Sequence, residues 1–108
     1  MRRKRIKLID LIEAGLIKPP FSIHANFKRK DFSAEIDKDG FVLLDDRRYT
    51  SLSIAGGMVR ASLSGKPSDG LPYRRVNGWD FWKFKDSNGH MISINELRKQ
   101  WIEKLTLS

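Results

Sequence analysis

The chain has 108 residues, 40% of them apolar, which is long enough for one packed domain and too short for two. It has no cysteine, which excludes a disulfide framework, a thiolate metal site and a cysteine nucleophile. The formal net charge of +8 favours a polyanionic partner, either nucleic acid or an anionic membrane surface. The early apolar run is broken by Lys7, Asp10 and Glu13, so we expect no signal peptide and no membrane span, but a soluble, cytoplasmic protein.

The positive charge is concentrated near the amino end. Residues 1–30 hold nine basic and two acidic residues, whereas residues 31–69 hold five basic and seven acidic ones. We expect residues 1–5 to form a basic tail and residues 6–105 a single domain. The tail could act as an arm that follows a DNA groove, although such tails more often serve only solubility.

The first predicted element is a helix over residues 6–14, where apolar side chains recur at helical spacing. Gly15 stands where a left-handed residue ends a helix, and Pro19-Pro20 prevents the helix from resuming.

Three antiparallel strands are expected next. Apolar and polar residues alternate over 21–27 and again over 32–36, on either side of a charged turn at 28–31. Asp39-Gly40 predicts a two-residue hairpin turn, which would place Ile36 opposite Leu43 on the third strand. Residues 45–49 read as a polar connection.

A second helix is predicted to begin near residue 51, capped by Thr50, Ser51 or Ser53. Gly56-Gly57 weakens this helix by roughly 1 kcal/mol per glycine, which indicates a close approach of the backbone to the sheet or to a ligand. Its buried side is expected to consist of Ile54, Met58, Val59 and Leu63.

The remaining chain predicts a long loop, two strands and a final helix. The loop covers residues 64–78, the strands residues 81–85 and 90–92, and residues 93–96 form a capping box. The last helix is expected to bury Leu97, Trp101 and Leu105. The predicted fold class is therefore α+β, with three helices on a small antiparallel sheet in the order α-β-β-β-α-β-β-α.

No constellation of catalytic residues is visible. His24 and His90 have no partner at ligand spacing, and the adjacent Asp45 and Asp46 are more typical of a turn than of a metal site. We find no glycine-rich phosphate loop. We therefore expect no catalysis by this chain, no cofactor, no metal and no small-molecule substrate.

The start of the second helix is a candidate binding site. A helix N-terminus offers free backbone amides to phosphate, and serine hydroxyls and basic side chains surround this one. Arginines there could also read guanine edges. The alternative is an ordinary capped helix between solvated loops. The residues concerned are Arg47, Arg48, Ser51, Ser53, Lys66, Arg74 and Arg75.

The segment 77–82 is rich in aromatic residues. It could form a stacking surface for a base, or it could belong to the core. Strand alternation places Trp82 and Phe84 in the core and leaves Trp79 and Phe81 open to either interpretation. Asn77-Gly78 is expected to set the turn that enters the strand, with the glycine supplying an unusual backbone angle.

These segments, in this order, resemble the RAMA domain, the restriction-enzyme and adenine-methylase-associated domain. The resemblance spans roughly residues 6–101 and runs from an LIEAGLI helix through a DG hairpin and a serine-rich helix start to an NGW strand entry. The positions that match the family pattern are Ser51, Ser53, Ala55, Asn77, Gly78, Trp79, Trp82, Gly89, Leu97 and Arg98. Leu52 and Gly56 depart from it, and the loop before residue 77 is longer than in many members.

The resemblance implies a module of bacterial restriction–modification systems that recognises DNA, in some members methylated adenine. We expect this chain to bind double-stranded DNA without catalysis, with sensitivity to sequence or to adenine methylation. An adaptor that docks a methyltransferase or nuclease protein is the alternative, and single strands or RNA are a third partner class. The expected DNA-binding residues are Arg47, Arg48, Ser51, Ser53, Lys66, Arg74, Arg75, Asn77 and Trp79.

Overall fold

Four helices and six strands make up residues 6–65 and 76–107, the parts of the chain that the computed structural model describes. The expected α+β class is confirmed, but the prediction of three helices and five strands was wrong by one helix and one strand. The elements in chain order are α1 (Leu8–Glu13), β1 (Phe21–Phe27), β2 (Lys30–Ile36), β3 (Val42–Leu44), β4 (Arg47–Tyr49), α2 (Leu52–Ser64), α3 (Gly78–Phe81), β5 (Lys83–Lys85), β6 (Met91–Ser93) and α4 (Ile94–Leu107).

All six strands form one antiparallel sheet in the order β4-β3-β2-β1-β5-β6. Alternation along each strand sends one set of side chains into the core and the other toward solvent. Ile23 and Ile36 are fully buried on the core face, whereas Ser22 and Glu35 are exposed on the other. The core face packs against the helices, and their shared cluster includes Leu11, Leu52, Ile94 and Leu97.

Helix α1 ends as its sequence predicts. Gly15 has a φ of +79°, and its amide donates to the Ile12 carbonyl at 3.0 Å. The Leu16 amide donates to the Leu11 carbonyl, also at 3.0 Å, which completes a Schellman motif. The helix is shorter than predicted, covering 8–13 instead of 6–14, and buries Leu8 and Leu11.

The β2–β3 hairpin has a different register from the one predicted. Ile36 pairs with Val42, and Leu43 pairs with Glu35 on the solvent side. The loop is longer than two residues because the Asp37 carboxylate accepts hydrogen bonds from the amides of Asp39 and Phe41. This side-chain turn shifts the register by one residue, and Leu43 becomes 37% exposed.

The polar connection predicted at residues 45–49 instead contains strand β4. Asp45 and Asp46 have φ values of +49° and +65°, the left-handed pair that a type I′ hairpin turn requires. Leu44 therefore pairs with Arg47, and Val42 with Tyr49. A three-residue strand rich in arginine has too little alternation to be recognised from sequence.

Helix α2 buries mainly its small residues. Of the predicted apolar side, Val59 is buried, whereas Ile54, Met58 and Leu63 are half-buried. A close approach is found at Gly56, but to Val76 and to Phe81 of α3 instead of the predicted sheet or ligand: a Cβ atom there would lie 2.9 Å from side-chain atoms of both. The other fully or nearly fully buried positions of α2 are Leu52, Ala55 and Gly57.

The strand predicted at 81–85 begins two residues later, because residues 78–81 form the short helix α3. Trp82 is fully buried as expected, and the predicted core residue Phe84 is half-buried against Phe21 with ring centroids 5.6 Å apart. In α4, Leu97 is buried and Trp101 half-buried, but Leu105 is 51% exposed, so its predicted burial was wrong.

Across the described residues, no helix is both long and apolar enough to cross a membrane.

Candidate functional site

A groove of about 440 Å³ opens at the N-terminus of α2. It is bounded by the start of α1, by the β2–β3 loop, by the first turn of α2 and by Trp79. Its walls combine apolar side chains with the hydroxyl groups of Thr50, Ser51 and Ser53. The lining residues are Ile6, Lys7, Leu8, Ile9, Asp39, Gly40, Phe41, Thr50, Ser51, Leu52, Ser53, Ile54 and Trp79.

The two serines at the start of α2 both accept hydrogen bonds within the fold. Ser51 is the N-cap, and its hydroxyl accepts from the Ile54 amide at 3.1 Å. The Ser53 hydroxyl accepts from the Gly78 amide, also at 3.1 Å, and so connects α2 to α3. The cap predicted from sequence is confirmed as Ser51, while Ser53 links two helices.

Asn77 and Gly78 shape the other side of this junction. The Asn77 side chain accepts from the Trp79 amide at 3.1 Å and donates to the Asp80 carboxylate at 2.8 Å, so it caps α3. Gly78 passes so close to Ser53 that a Cβ atom would overlap backbone atoms of α2. The predicted unusual backbone angle was wrong, because Gly78 does not have a positive φ. Glycine is required there because α2 and α3 meet at this residue with no room for a side chain.

Two tryptophans, Trp79 and Trp82, lie beside the start of α2. The Trp82 indole Nε1 donates to the Leu52 carbonyl at 3.0 Å, which satisfies the one polar atom of a fully buried ring. Trp79 is half-buried at the groove, and the Arg98 guanidinium carbon lies 5.0 Å from a Trp79 ring centroid. A cation against an indole face holds the ring in place.

The β2–β3 loop forms the opposite wall. Arg48 contacts the Asp37 and Asp39 carboxylates at 3.0 Å each, and its guanidinium carbon lies 3.9 Å from the Phe41 ring centroid. Partial burial acts to raise the pKa of Asp37, but the amides of Phe41 and Asp39 and the Arg48 guanidinium outweigh it. The pKa of Asp37 therefore lies below its ordinary value of 3.8.

The structure brings together five of the nine residues predicted to bind DNA. Ser51, Ser53 and Trp79 line the groove, Asn77 caps the adjoining helix, and Arg48 braces the loop wall. Arg47 is exposed on the edge strand β4 and forms no ion pair with another described residue. The remaining three, Lys66, Arg74 and Arg75, lie outside the described residues, as does the predicted tail at 1–5.

Sequence reasoning missed the contributions of α1 and of the β2–β3 loop to the groove. Ile6 and Ile9 reach it from the amino end, and Phe41 reaches it from the hairpin. The signal for Phe41 was present, because an Asp at the start of a turn typically accepts hydrogen bonds from backbone amides that follow it. Asp37 accepts them from the amides two and four residues later. The signal for Ile6 and Ile9 was not, because helical spacing does not tell which neighbour a helix will meet.

The groove offers shape and hydrogen bonding more than reactive groups. Its aromatic and aliphatic walls suit a flat or apolar ligand group, and its hydroxyls can orient that group. Across residues 6–65 and 76–107, no group of three or more His, Cys, Asp or Glu side chains is placed to hold a metal ion.

Comparison with protein families matches residues 1–107 to the family described as Restriction Enzyme Adenine Methylase Associated, abbreviated RAMA. The match covers essentially the whole chain. A search of curated proteins finds no match.

Proposed function

This chain belongs to the RAMA family, which links it to restriction–modification systems, and on this premise we propose that it binds double-stranded DNA there. The partners of such a system are a methyltransferase or a nuclease, both of which act on DNA. A small domain from which we expect no catalysis would serve such a partner best by holding it at its substrate.

DNA binding is supported most directly by exposed cations that have no ion-pair partner among the described residues. Among the described residues, ion pairs to acidic side chains engage Arg48 and Lys99, and His90 where it is protonated. The exposed cations that form no ion pair with another described residue include Lys28, Arg29, Lys30 and Arg47. Cations left unpaired on a domain of net charge +8 favour contact with a phosphate backbone.

The groove beside Trp79 supports a recognition role within that binding. Its apolar walls, formed by Ile9, Phe41 and Ile54 among others, would gain from contact with a base or a methyl group. We propose that the groove receives an edge of the DNA and gives the domain its sensitivity to adenine methylation. The serines and Asn77 then act by holding the groove in shape.

The test is a titration of labelled duplex DNA, with and without N6-methyladenine, at two salt concentrations. We expect binding that weakens steeply with salt and differs between the two duplexes. Thr50→Glu places a negative charge at the mouth of the groove and should weaken binding at least about tenfold. Ser87→Glu, in the exposed β5–β6 turn, adds the same charge elsewhere and is the matched control.

Each result has a distinct meaning. No binding at low salt would refute the DNA-binding proposal. Equal losses for Thr50→Glu and Ser87→Glu would show that charge alone matters and would remove the groove from the binding surface. Equal affinity for both duplexes would leave a DNA-binding domain that does not read adenine methylation.

A second candidate function is an adaptor for the methyltransferase or nuclease subunit. It is favoured by Ile102 and Leu105 on α4, whose exposed fractions are 45% and 51%. Copurification with a defined methyltransferase or nuclease subunit that survives nuclease digestion, and is lost in Ile102→Glu/Leu105→Glu, would support it. Copurification that disappears on digestion would show that DNA alone joins the two proteins.

A further inference from the structure

We propose that the tip of the β1–β2 hairpin is a phosphate-contacting edge of this domain, placed against the backbone of duplex DNA. The inference deepens the proposed function and rests on it. The sequence pattern by itself indicates only a charged turn at this place. The tip consists of three consecutive cations, Lys28, Arg29 and Lys30, and we call residues 25–34 the basic ribbon.

The ribbon extends beyond the strands on either side of it. β1 and β2 pair without interruption from Phe21 with Ile36 to Phe27 with Lys30. β5 meets β1 at His24, and β3 meets β2 at residues 35 and 36. Beyond these positions the hairpin is two strands wide, while one of its faces still packs against the core through Ala25, Ala34 and Phe27.

The turn at the tip has an unusual composition. Lys28 and Arg29 have φ values of +52° and +64°, the left-handed pair of a type I′ turn. Such turns favour Asn and Gly, and the β3–β4 turn of this chain uses Asp45 and Asp46, which also tolerate that conformation. Two long cations at left-handed positions lower stability, and local departures of this kind are typical of functional positions.

The ribbon is anchored next to its tip, because Phe27 directly precedes the turn. The Phe27 ring lies 6.3 Å from the Phe81 ring between centroids. The centroid of the same Phe27 ring lies 5.8 Å from Lys28 Nζ and 5.6 Å from the Arg60 guanidinium carbon. Arg60, on α2, therefore adds its positive charge beside those of the tip. The nearby Asp31 carboxylate accepts a hydrogen bond from Asn26 across the ribbon at 2.8 Å.

Duplex DNA fits this shape better than a flat anionic surface does. Two strands about 5 Å apart enter a major groove about 12 Å wide, where phosphates line both rims. Arg60 lies nine residues along α2 from the groove at Ser51, about 14 Å at helical rise. That separation is less than one helical turn of B-DNA, about 34 Å, so a single duplex is long enough to reach both.

The test uses Lys28→Asn/Arg29→Gly in the full chain, a change that suits the turn and so preserves the hairpin. Affinity for a labelled duplex is measured as a function of salt. We expect the affinity to fall at least about tenfold, and the slope of log K against log salt to become shallower by about 1.8, or 0.9 for each phosphate that the variant no longer neutralises. Lys85→Gln/Lys104→Gln removes the same charge from β5 and from α4 and should leave the slope nearly unchanged.

The outcomes separate this inference from the function on which it rests. If the wild-type chain binds duplex DNA and both double variants lose affinity equally, the phosphate-contacting role of the ribbon is overturned and the proposal of DNA binding stands. A wild-type chain that does not bind duplex DNA would overturn both. Tighter binding of single strands or of RNA than of duplex, with the same dependence on the tip, would overturn duplex DNA as the partner.

Discussion

At Gly78 the backbone of α3 passes against the first turn of α2, and the Ser53 hydroxyl accepts from its amide. A Cβ atom would lie well under 3.0 Å from the Ser53 nitrogen and from Leu52 atoms, which are mostly backbone and cannot rotate away. We expect Gly78→Ala to lower the free energy of unfolding by more than about 3 kcal/mol. Gly15 has open space around it but a φ of +79°, so Gly15→Ala should lower the free energy of unfolding by about 1 kcal/mol.

Urea unfolding of the two alanine variants provides the measurement. Gly78 has no left-handed backbone conformation, so a loss there no larger than at Gly15 would show that the contact between α2 and α3 does not require glycine at residue 78. The distinction matters for the groove, because two of its lining residues, Ser53 and Trp79, lie at that contact.

The Asp37 carboxylate has a similar role in the opposite wall, and its effect depends on pH. Because its folded-state pKa lies below its ordinary value of 3.8, ionisation of Asp37 stabilises the folded state. This contribution is complete above the unfolded-state pKa and is lost as pH falls through the folded-state pKa. We expect Asp37→Asn to be less stable than wild type near pH 7, by about 1 kcal/mol.

The difference between wild type and Asp37→Asn should shrink below about pH 4 as the wild-type carboxylate takes up its proton. Urea unfolding at a series of pH values measures it. A difference that stays constant from pH 7 to pH 2 would show that the carboxylate's charge contributes nothing to the loop wall.

At the scale of elements, the β1–β2 turn departs most clearly from local preference. Asn and Gly adopt left-handed conformations more readily than lysine and arginine do. We expect Lys28→Asn/Arg29→Gly to raise the free energy of unfolding by about 1 kcal/mol, measured by urea unfolding without DNA. The same variant should bind DNA more weakly, so stability and binding should move in opposite directions. A variant less stable than wild type would show that the lysine–arginine turn is not under strain.

At the scale of the whole molecule, one core joins the two ends of the described chain. Leu8, Leu11 and Ile17 from the amino end belong to the same buried cluster as Ile94 and Leu97. Burial of each large aliphatic side chain contributes about 2 kcal/mol, and a small domain has a total stability of about 5–15 kcal/mol. We therefore expect removal of residues 1–17 to unfold the chain.

Removal of residues 105–108 is the control, since Leu105 is 51% exposed and does not belong to the core. It should leave the chain folded. Near-ultraviolet circular dichroism reports the environment of Trp82 in both truncated chains. A native-like spectrum after loss of residues 1–17 would mean that the sheet and α2 form a core without α1.

Patterns between neighbouring residues were sufficient for much of this fold. Alternation identified β1 and β2, the glycine at position 15 ended α1, and the serine at position 51 capped α2. The helical spacing of α4 likewise indicated burial of Leu97, although not the exposure of Leu105. Each of these features depends on hydrogen bonds or side-chain periodicity within a few residues, which the linear sequence carries directly.

Other features depended on contacts between distant segments. The register at Val42 follows from the Asp37 side-chain turn, and the helical start at Gly78 follows from its contact with Ser53. The groove needs α1, the β2–β3 loop and α2 at one place, and the ribbon is two strands wide only because its pairing with β3 and β5 ends before the tip. The sequence by itself determined the fold class, the family and most of the elements, because these follow from local patterns. The tertiary structure alone decided which side chains form the groove and which cations stand at the tip of a two-stranded ribbon, because both depend on where non-neighbouring segments meet or end.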